Sequence, residues 1–383
     1  MDGLQPTILT PLTILVTAWC VFISALFLSR FTANAAILPD HPTTRSSHRM
    51  VTSRSGGIAI FCGWFLGIVL LEALIRIDGG STQLLPLLGL STMAFGLGLM
   101  DDHSSLPATI KLAGQIAIAL AFVFIFGGIE AAPLPFLGII QLGPFGVILS
   151  VFWIVAFMNA FNFMDGINGI AALGGMIAAV TLALLSASVG ETAWAVASLM
   201  LGLALAGFLP LNFRAARLFM GDSGSQSVSF LLAALGLLAA RSSNGDVSHI
   251  LVPLVMTPFL FDVAFTLLHR RQRGRNIFEA HCEHIYQLLV RMGWPHEAVA
   301  TLYLSITLIC AGFGMITMSF GATAQWGAVA MITAASFIPA RRVFMRAKEM
   351  GLLEPTTAQS EQPLEPTAPS TVQEGSLFQQ AAE

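Results

Sequence analysis

Apolar positions in this chain come in long continuous runs rather than on one face of a helix or in alternation. A helix that crosses hydrocarbon needs about 20 consecutive, mostly apolar residues. Runs of that kind lie at 8–29, 57–75, 84–100, 112–128, 144–161, 167–189, 192–211, 225–240, 249–268, 298–319 and 323–340. Eleven spans are therefore predicted. Segment 129–143 is apolar but interrupted by Pro and Gly, so it reads either as an outer loop or as a re-entrant piece. No soluble domain interrupts the series, and no internal repeat stands out. Residues 1–351 are read as one all-α, polytopic membrane domain, and 352–383, rich in Pro, Thr, Gln and Glu, as a disordered tail.

The basic residues orient this map. With the first residue outside, 16 of the 18 Lys and Arg fall on inner segments, and only Arg76 and Arg241 lie elsewhere. The positive-inside rule then places the C-terminus in the cytoplasm. No Lys or Arg precedes Arg30, so the first run lacks the cationic start of a cleaved signal peptide and is expected to remain as a span. Composition agrees: 55% of residues are hydrophobic and 10% charged, against roughly 25% charged in an ordinary soluble domain. Mean hydropathy is +0.78. A water-soluble globule is excluded. Nucleic-acid binding is also not expected, because 18 basic against 21 acidic residues leave no cationic surplus. Cys20, Cys62, Cys282 and Cys310 have neither zinc nor disulfide spacing.

The remaining polar residues cluster on the inner side. His48, Arg49 and Arg54 precede Gly56-Gly57, and Asp101-Asp102 are followed by Lys111. Adjacent carboxylates repel unless a cation or proton relieves them, although an isolated Asp-Asp pair also suits a solvated loop. Lys111 could contact phosphate or anchor the interface. Asn159, Asn162 and Asp165 recur every three residues, which would stack amide, amide and carboxylate on one helical face. Gly166 and Gly169 would then admit a ligand close to the backbone. Gly221-Asp222-Ser223-Gly224-Ser225 opens the eighth span. It could favour an anion at the helix N-terminus, with Asp222 on a bridging cation, or could simply cap the helix. The fifth inner loop carries Arg270, Arg271, Arg273 and Arg275, then His281 and His284, without the His-Glu-x-x-His pattern of zinc proteases. Asp262, an acid inside the ninth span, is expected to be functional or to pair with the arginines. Together these are hard oxygen donors suited to Mg2+ or Mn2+ and cationic groups suited to phosphates, at one membrane surface.

At these residues the chain resembles the polyprenyl-phosphate N-acetylhexosamine-1-phosphate transferases, the MraY/WecA group of glycosyltransferase family 4. The likeness covers about 45–290. It is carried by Ser47-His48 with Gly56-Gly57, Asp101-Asp102 through Lys111, Asn162-Phe-Met-Asp165-Gly-Ile-Asn168-Gly, Gly221-Asp222-Ser-Gly-Ser225 and His281-x-x-His284-x-Tyr286-Gln287. The last motif looks most like bacterial members that initiate O-antigen or related surface polysaccharides. The chain departs at Asn168, where many bacterial members have Asp, and at Val51–Ser55, where Pro-Thr-Pro-Arg-Gly is commoner.

The resemblance implies an eleven-span enzyme of the bacterial inner membrane, its N-terminus periplasmic and its active site cytoplasmic. It implies a UDP-N-acetylhexosamine donor, an undecaprenyl phosphate acceptor and Mg2+ or Mn2+; a homodimer is compatible with it. By analogy Asp222 and Asn162 would hold the metal, and Asp101 and Asp102 would serve the acceptor phosphate. Lys111, His281 and His284 would meet the pyrophosphate, with Asp165 among the catalytic groups. Asn212, Gly166 and Asn168 would line the nucleotide site, and His48, Arg54 and Arg275 would contact substrate. Two other classes compete. A transporter would place its ligand groups near the midplane, often in repeated halves. A zinc-dependent membrane hydrolase would respond to Zn2+ rather than Mg2+.

Overall fold

The computed structural model describes residues 11–35, 37–40, 51–77, 83–135, 137–214, 217–243, 247–276, 279 and 281–353. His48 and nearly all of the expected tail (354–383) lie outside the described residues. In chain order the helices and strands are α1 (Pro11–Ala35), β1 (Pro39–Asp40), β2 (Thr52–Ser53), α2 (Gly56–Ile77), α3 (Leu84–Ser104) and α4 (Ala108–Phe126). Then follow β3 (Ala131–Leu134), β4 (Gly138–Gln141), α5 (Pro144–Met164), α6 (Ile170–Ser188), α7 (Thr192–Asn212) and α8 (Gly221–Ser242). The chain continues through α9 (Leu251–Val255), α10 (Thr257–Gln272), α11 (Ile285–Arg291), α12 (His296–Met318) and α13 (Gly321–Glu349).

Ten helices, α1 to α8 with α12 and α13, are long and apolar enough to cross a membrane. The run expected to form the ninth span is helical but divided at Met256 into α9 and α10. Pro258 is the physical reason: it has no N–H to donate, and its ring crowds the carbonyl four residues back. Segment 129–143 is neither simple loop nor re-entrant helix but an antiparallel hairpin, with Ala131 opposite Gln141 and Leu134 opposite Gly138. Its ends are tied down by Arg241 to Glu130 (2.6 Å) and by Trp326 Nε1 donating to the Pro133 carbonyl (2.9 Å).

α8 is the axis of the bundle, and its best apolar window is wholly buried. Its first half is built of Gly and Ser, which lets neighbouring backbones come close, as small residues do in membrane helices. A Cβ on Gly57 of α2 would fall 2.1 Å from the Gly224 nitrogen, and one on Gly98 of α3 would fall 2.3 Å from the Asp222 carbonyl oxygen. The start of α8 is further fixed by a short run of backbone bonds. Phe219 N donates to Ser53 O, Gly56 N to Phe219 O and Gly57 N to Met220 O, at 2.8–2.9 Å. The polar first turn of α8 is thus held at one end of the bundle, against α2 and α3.

Candidate active site

Four helix ends meet there. α3 ends with Asp101 and Asp102, α4 begins with Lys111 in its first turn, α5 ends with Asn162, and α8 begins with Asp222. Lys111 Nζ donates to Asp101 Oδ2 and, at 3.1 Å, to Asp222 Oδ1. Asn162 Nδ2 donates to Asp222 Oδ1 and, at 2.8 Å, to Ser225 Oγ. Residues up to 121 apart in sequence therefore form one polar cluster at a bundle end.

The adjacent acids have separate tasks. Asp101 turns to Lys111 and accepts the Leu106 N–H at 2.8 Å, closing the turn after α3. Asp102 reaches across to α8, where Oδ1 accepts from Asp222 N (2.7 Å) and Oδ2 from Ser223 N (2.8 Å). The anion at this helix N-terminus is thus the protein's own. Neither Asp222 nor Ser223 caps the helix, as plain capping would have required; α3 supplies the cap. This satisfies two of the N–H groups that every helix start leaves open and sets a negative charge against the positive end of the dipole. Gly221, at φ +72°, makes room for that carboxylate, since a Cβ there would sit 2.9 Å from both Asp102 oxygens.

The expected stack of Asn159, Asn162 and Asp165 is not formed. α5 stops at Met164, so Asp165 lies past the helix end. Asn159 instead donates to Gln115 Oε1 (2.7 Å), and Gln115 donates to Gln226 Oε1 (2.9 Å). This amide chain lies one turn deeper than the charged cluster, and both glutamines are buried. Gln115 and Gln226 were not singled out by the sequence reading. Their signal was there: each follows a charged site residue by four positions (Lys111, Asp222), one turn along the same helical face.

Asp165 is half-buried, and among the described residues its carboxylate has no hydrogen-bond partner. Burial, and then the negative charges of Asp222 and Asp102, push its pKa well above the usual carboxylate range. Asp101 and Asp222 therefore share one lysine, with the Asp102 and Asp165 carboxyl groups close by. The donor chemistry fits a hard divalent cation held by Asp222 and Asp165, with the Asn162 amide oxygen left over after its Nδ2 is used. Among the described residues no three His, Cys, Asp or Glu side chains could hold a metal by themselves. A cation held here would need waters and substrate phosphates to complete its shell.

The remaining candidates surround this cluster. Asn212 is buried, and its amide bridges two loops: Oδ1 accepts from Gly169 N (2.7 Å) and Nδ2 donates to Leu218 O (2.9 Å). Gly166 and Gly169 make room for protein side chains. Added Cβ atoms would meet the Tyr286 hydroxyl at 2.0 Å and the Phe213 ring at 2.5 Å. Asn168 is half-buried on the same turn. Arg54 pairs with Asp40 (2.7 Å) and Arg275 with Glu283 (2.5 Å). Asp262 does not pair with the arginines, because Arg270 pairs with Glu283 (3.1 Å).

The loop of His281 and His284 is brought to the end of α5. Tyr286 Oη donates to the Phe163 carbonyl (2.8 Å), and the His284 ring stacks on Phe163 at 5.8 Å. His281 is half-buried. Burial first, then the neighbouring His284 and Arg270, lower its pKa to about 4.

The polytopic helical bundle is in keeping with the resemblance, and comparison with known proteins bears out the family. The glycosyl transferase family 4 model matches residues 84–240, the stretch from α3 through α8. The chain is 31% identical to the decaprenyl-phosphate N-acetylglucosaminephosphotransferase of Mycobacterium tuberculosis, over 79% of this chain and 82% of that protein. It is 30% identical to the probable undecaprenyl-phosphate N-acetylglucosaminyl 1-phosphate transferase of Bacillus subtilis, over 69% and 73%. With the undecaprenyl-phosphate alpha-N-acetylglucosaminyl 1-phosphate transferase of Salmonella typhi it shares 27% over 86% and 90%. The protein belongs to glycosyl transferase family 4.

Proposed function

We propose that this protein transfers N-acetylhexosamine 1-phosphate from a UDP-sugar to undecaprenyl phosphate, releasing UMP and starting a surface polysaccharide such as O-antigen. The relatives named above are transferases of this kind by their names. The observation that carries the reading is the convergence of Lys111, Asp101, Asp222 and Asn162 from four helices at one bundle end. A polyprenyl chain requires an apolar groove and its phosphate a polar site, and helix ends offer both. The basic-residue count supports a cytoplasmic position for this end, where a nucleotide sugar is available.

In the reaction an oxygen of the lipid phosphate bonds to the sugar-bearing phosphorus, and the bond from that phosphorus to the bridging oxygen breaks, so UMP leaves with its electron pair. A phosphate monoester is largely dianionic near pH 7, so the attacking oxygen needs no base. Alignment and charge neutralisation then carry most of the work. Mg2+, held by Asp222, Asp165 and Asn162, would supply charge neutralisation to the pyrophosphate. Lys111 adds a positive charge, kept in place by Asp101. Asp102 fixes the first turn of α8, and hence the Asp222 carboxylate. His281 and His284 stand at the end of α5, next to the same site.

The test incubates purified protein with Mg2+, undecaprenyl phosphate and a panel of UDP-N-acetylhexosamines while UMP release is followed. Lipid-dependent UMP release with at least one donor is expected, lost in EDTA and restored by Mg2+ but not by Zn2+. Release without lipid, or restoration by Zn2+ alone, would overturn the proposal.

A further inference from the structure

A second buried acid stands apart from the cluster just described. Asp262 of α10 has no exposed surface and accepts hydrogen bonds from five groups. Its Oδ1 receives His284 Nδ1 (3.2 Å), Ile285 N (2.9 Å) and Thr266 Oγ1 (3.2 Å). Its Oδ2 receives Tyr286 N (3.1 Å) and the Tyr303 hydroxyl of α12 (2.5 Å). The 7-residue α11 is too short to be stable alone, and the N–H groups of its first turn need acceptors from elsewhere. Asp262 provides them.

We infer that Asp262 is a positioning residue for the proposed transfer: it seats the 281–287 strap, through His284 and the start of α11, against the end of α5 that carries Asn162 and Asp165. The inference rests on that proposed reaction for its catalytic meaning, but the seat itself is a matter of geometry. A carboxylate oxygen can only accept, which gives His284 Nδ1 the donor role in this pair. The other side of the strap is equally defined. Tyr286 Oη bonds the Phe163 carbonyl, and Gly166 leaves space for that hydroxyl. Phe163 directly follows Asn162 and lies two residues before Asp165. One carboxylate in α10 thereby fixes where the strap stands relative to the phosphate site.

The seat also separates the two imidazoles. His284 is only 3% exposed, with Nδ1 committed to Asp262 and its ring between Phe163 and Tyr286. His281 stays half-buried 5.0 Å away, its Nδ1 taking the Glu283 N–H and its Nε2 making no hydrogen bond among the described residues. Asn in place of Asp262 would offer one acceptor oxygen and an NH2 group turned toward donors, so the strap would lose its register.

The test uses the full-length protein with Asp262→Asn, Tyr303→Phe, His284→Gln and the double variant Asp262→Asn/His284→Gln. The first readout needs no substrate: the rate at which a maleimide alkylates Cys282, a half-buried neighbour of His281, with sites assigned by peptide mass spectrometry. Asp262→Asn should speed Cys282 labelling by about 10-fold and Tyr303→Phe by about 2-fold, as local opening becomes easier, while Cys20 and Cys62 keep their rates. An unchanged Cys282 rate would overturn the seat. The second readout is UMP release. Asp262→Asn should lower kcat by about 100-fold, the scale of a misplaced group, with KM for the lipid unchanged. Because Asp262 acts through His284, the double variant should be no more than about 3-fold worse than the poorer single one. Losses that multiply would mean that Asp262 only stabilises the fold, and would overturn its positioning role. If Asp262→Asn fails to insert, Tyr303→Phe runs the same two tests at smaller amplitude. If wild-type protein releases no UMP with any donor, the proposed reaction falls and the Cys282 rates alone decide the seat.

Discussion

Asp262 and Asp222 both lie on helices of the bundle, yet their surroundings are opposite. Asp262 meets five donors on two oxygens and is sealed from solvent. Asp222 uses one oxygen for Lys111 and Asn162, keeps 26% of its side chain exposed, and shares that lysine with Asp101 while the carboxyl groups of Asp102 and Asp165 stand near. Buried polar groups that the protein satisfies itself act as architecture, whereas a cluster of like charges left short of cations invites a ligand. The contrast predicts which acid the chemistry needs directly. Asp222→Ala should reduce UMP release by at least about 100-fold, as removal of a group aimed at transition-state charge does, with the protein still inserted in the membrane. Retention of more than about a tenth of the wild-type rate, ~1.4 kcal/mol of barrier or less, would remove Asp222 from the site as drawn.

Stability sharpens the same comparison within the cluster itself. Asp102 is architecture of the Asp262 kind, since both its oxygens cap α8. Asp102→Ala should therefore destabilise the substrate-free protein by about 1–2 kcal/mol, the usual cost of a lost helix cap, and should also impair transfer because Asp222 sits on that turn. Asp222→Ala removes one carboxyl group from a crowded acidic cluster and should leave the melting temperature of the detergent-solubilised, metal-free protein unchanged or raised. If the two variants lowered the melting temperature equally, the division between structural and chemical acids would fail.

Much of this could be read from the chain. Carboxylates gain nothing from positive-inside sorting, so Asp101, Asp102, Asp165 and Asp222 falling on one side of the map already marked a site. Their partners could not be read. Asp102 and Ser223 are 121 residues apart, and it is the close Gly98–Asp222 approach of α3 to α8 that brings those turns together. The glutamines were legible in part, because Gln115 repeats Lys111 and Gln226 repeats Asp222 at helical spacing. The division of the ninth span was marked by Pro258, but hydropathy alone reads across a proline. Asp262 was recognised as costly in a membrane span. That its partners would be a helix start and three side chains, rather than the arginines, depended on how the strap folds back, which no local pattern encodes.

The smallest expected effect concerns His281, the imidazole that the seat leaves half-buried. Its pKa is held at about 4, against 6.5 when free, chiefly by burial and then by the neighbouring His284 and Arg270. At pH 7 it is neutral, so it would meet a phosphate as a hydrogen-bonding partner rather than as a cation. The sign for stability follows from linkage: the unfolded chain takes up this proton below about pH 6.5, while the folded chain resists until about pH 4. Between those values the unfolded state binds more protons, so stability falls as pH drops through the window and levels off below it. His281→Gln should remove that share of the fall. Melting temperatures of wild type and variant, measured from pH 7 to pH 4, should therefore converge or cross as the pH decreases. Other acids titrate in the same window, but they are common to both proteins and cancel in the difference. A difference independent of pH would show that His281 ionises in the fold as it does in water, and that the strap leaves it as open to solvent as any surface imidazole.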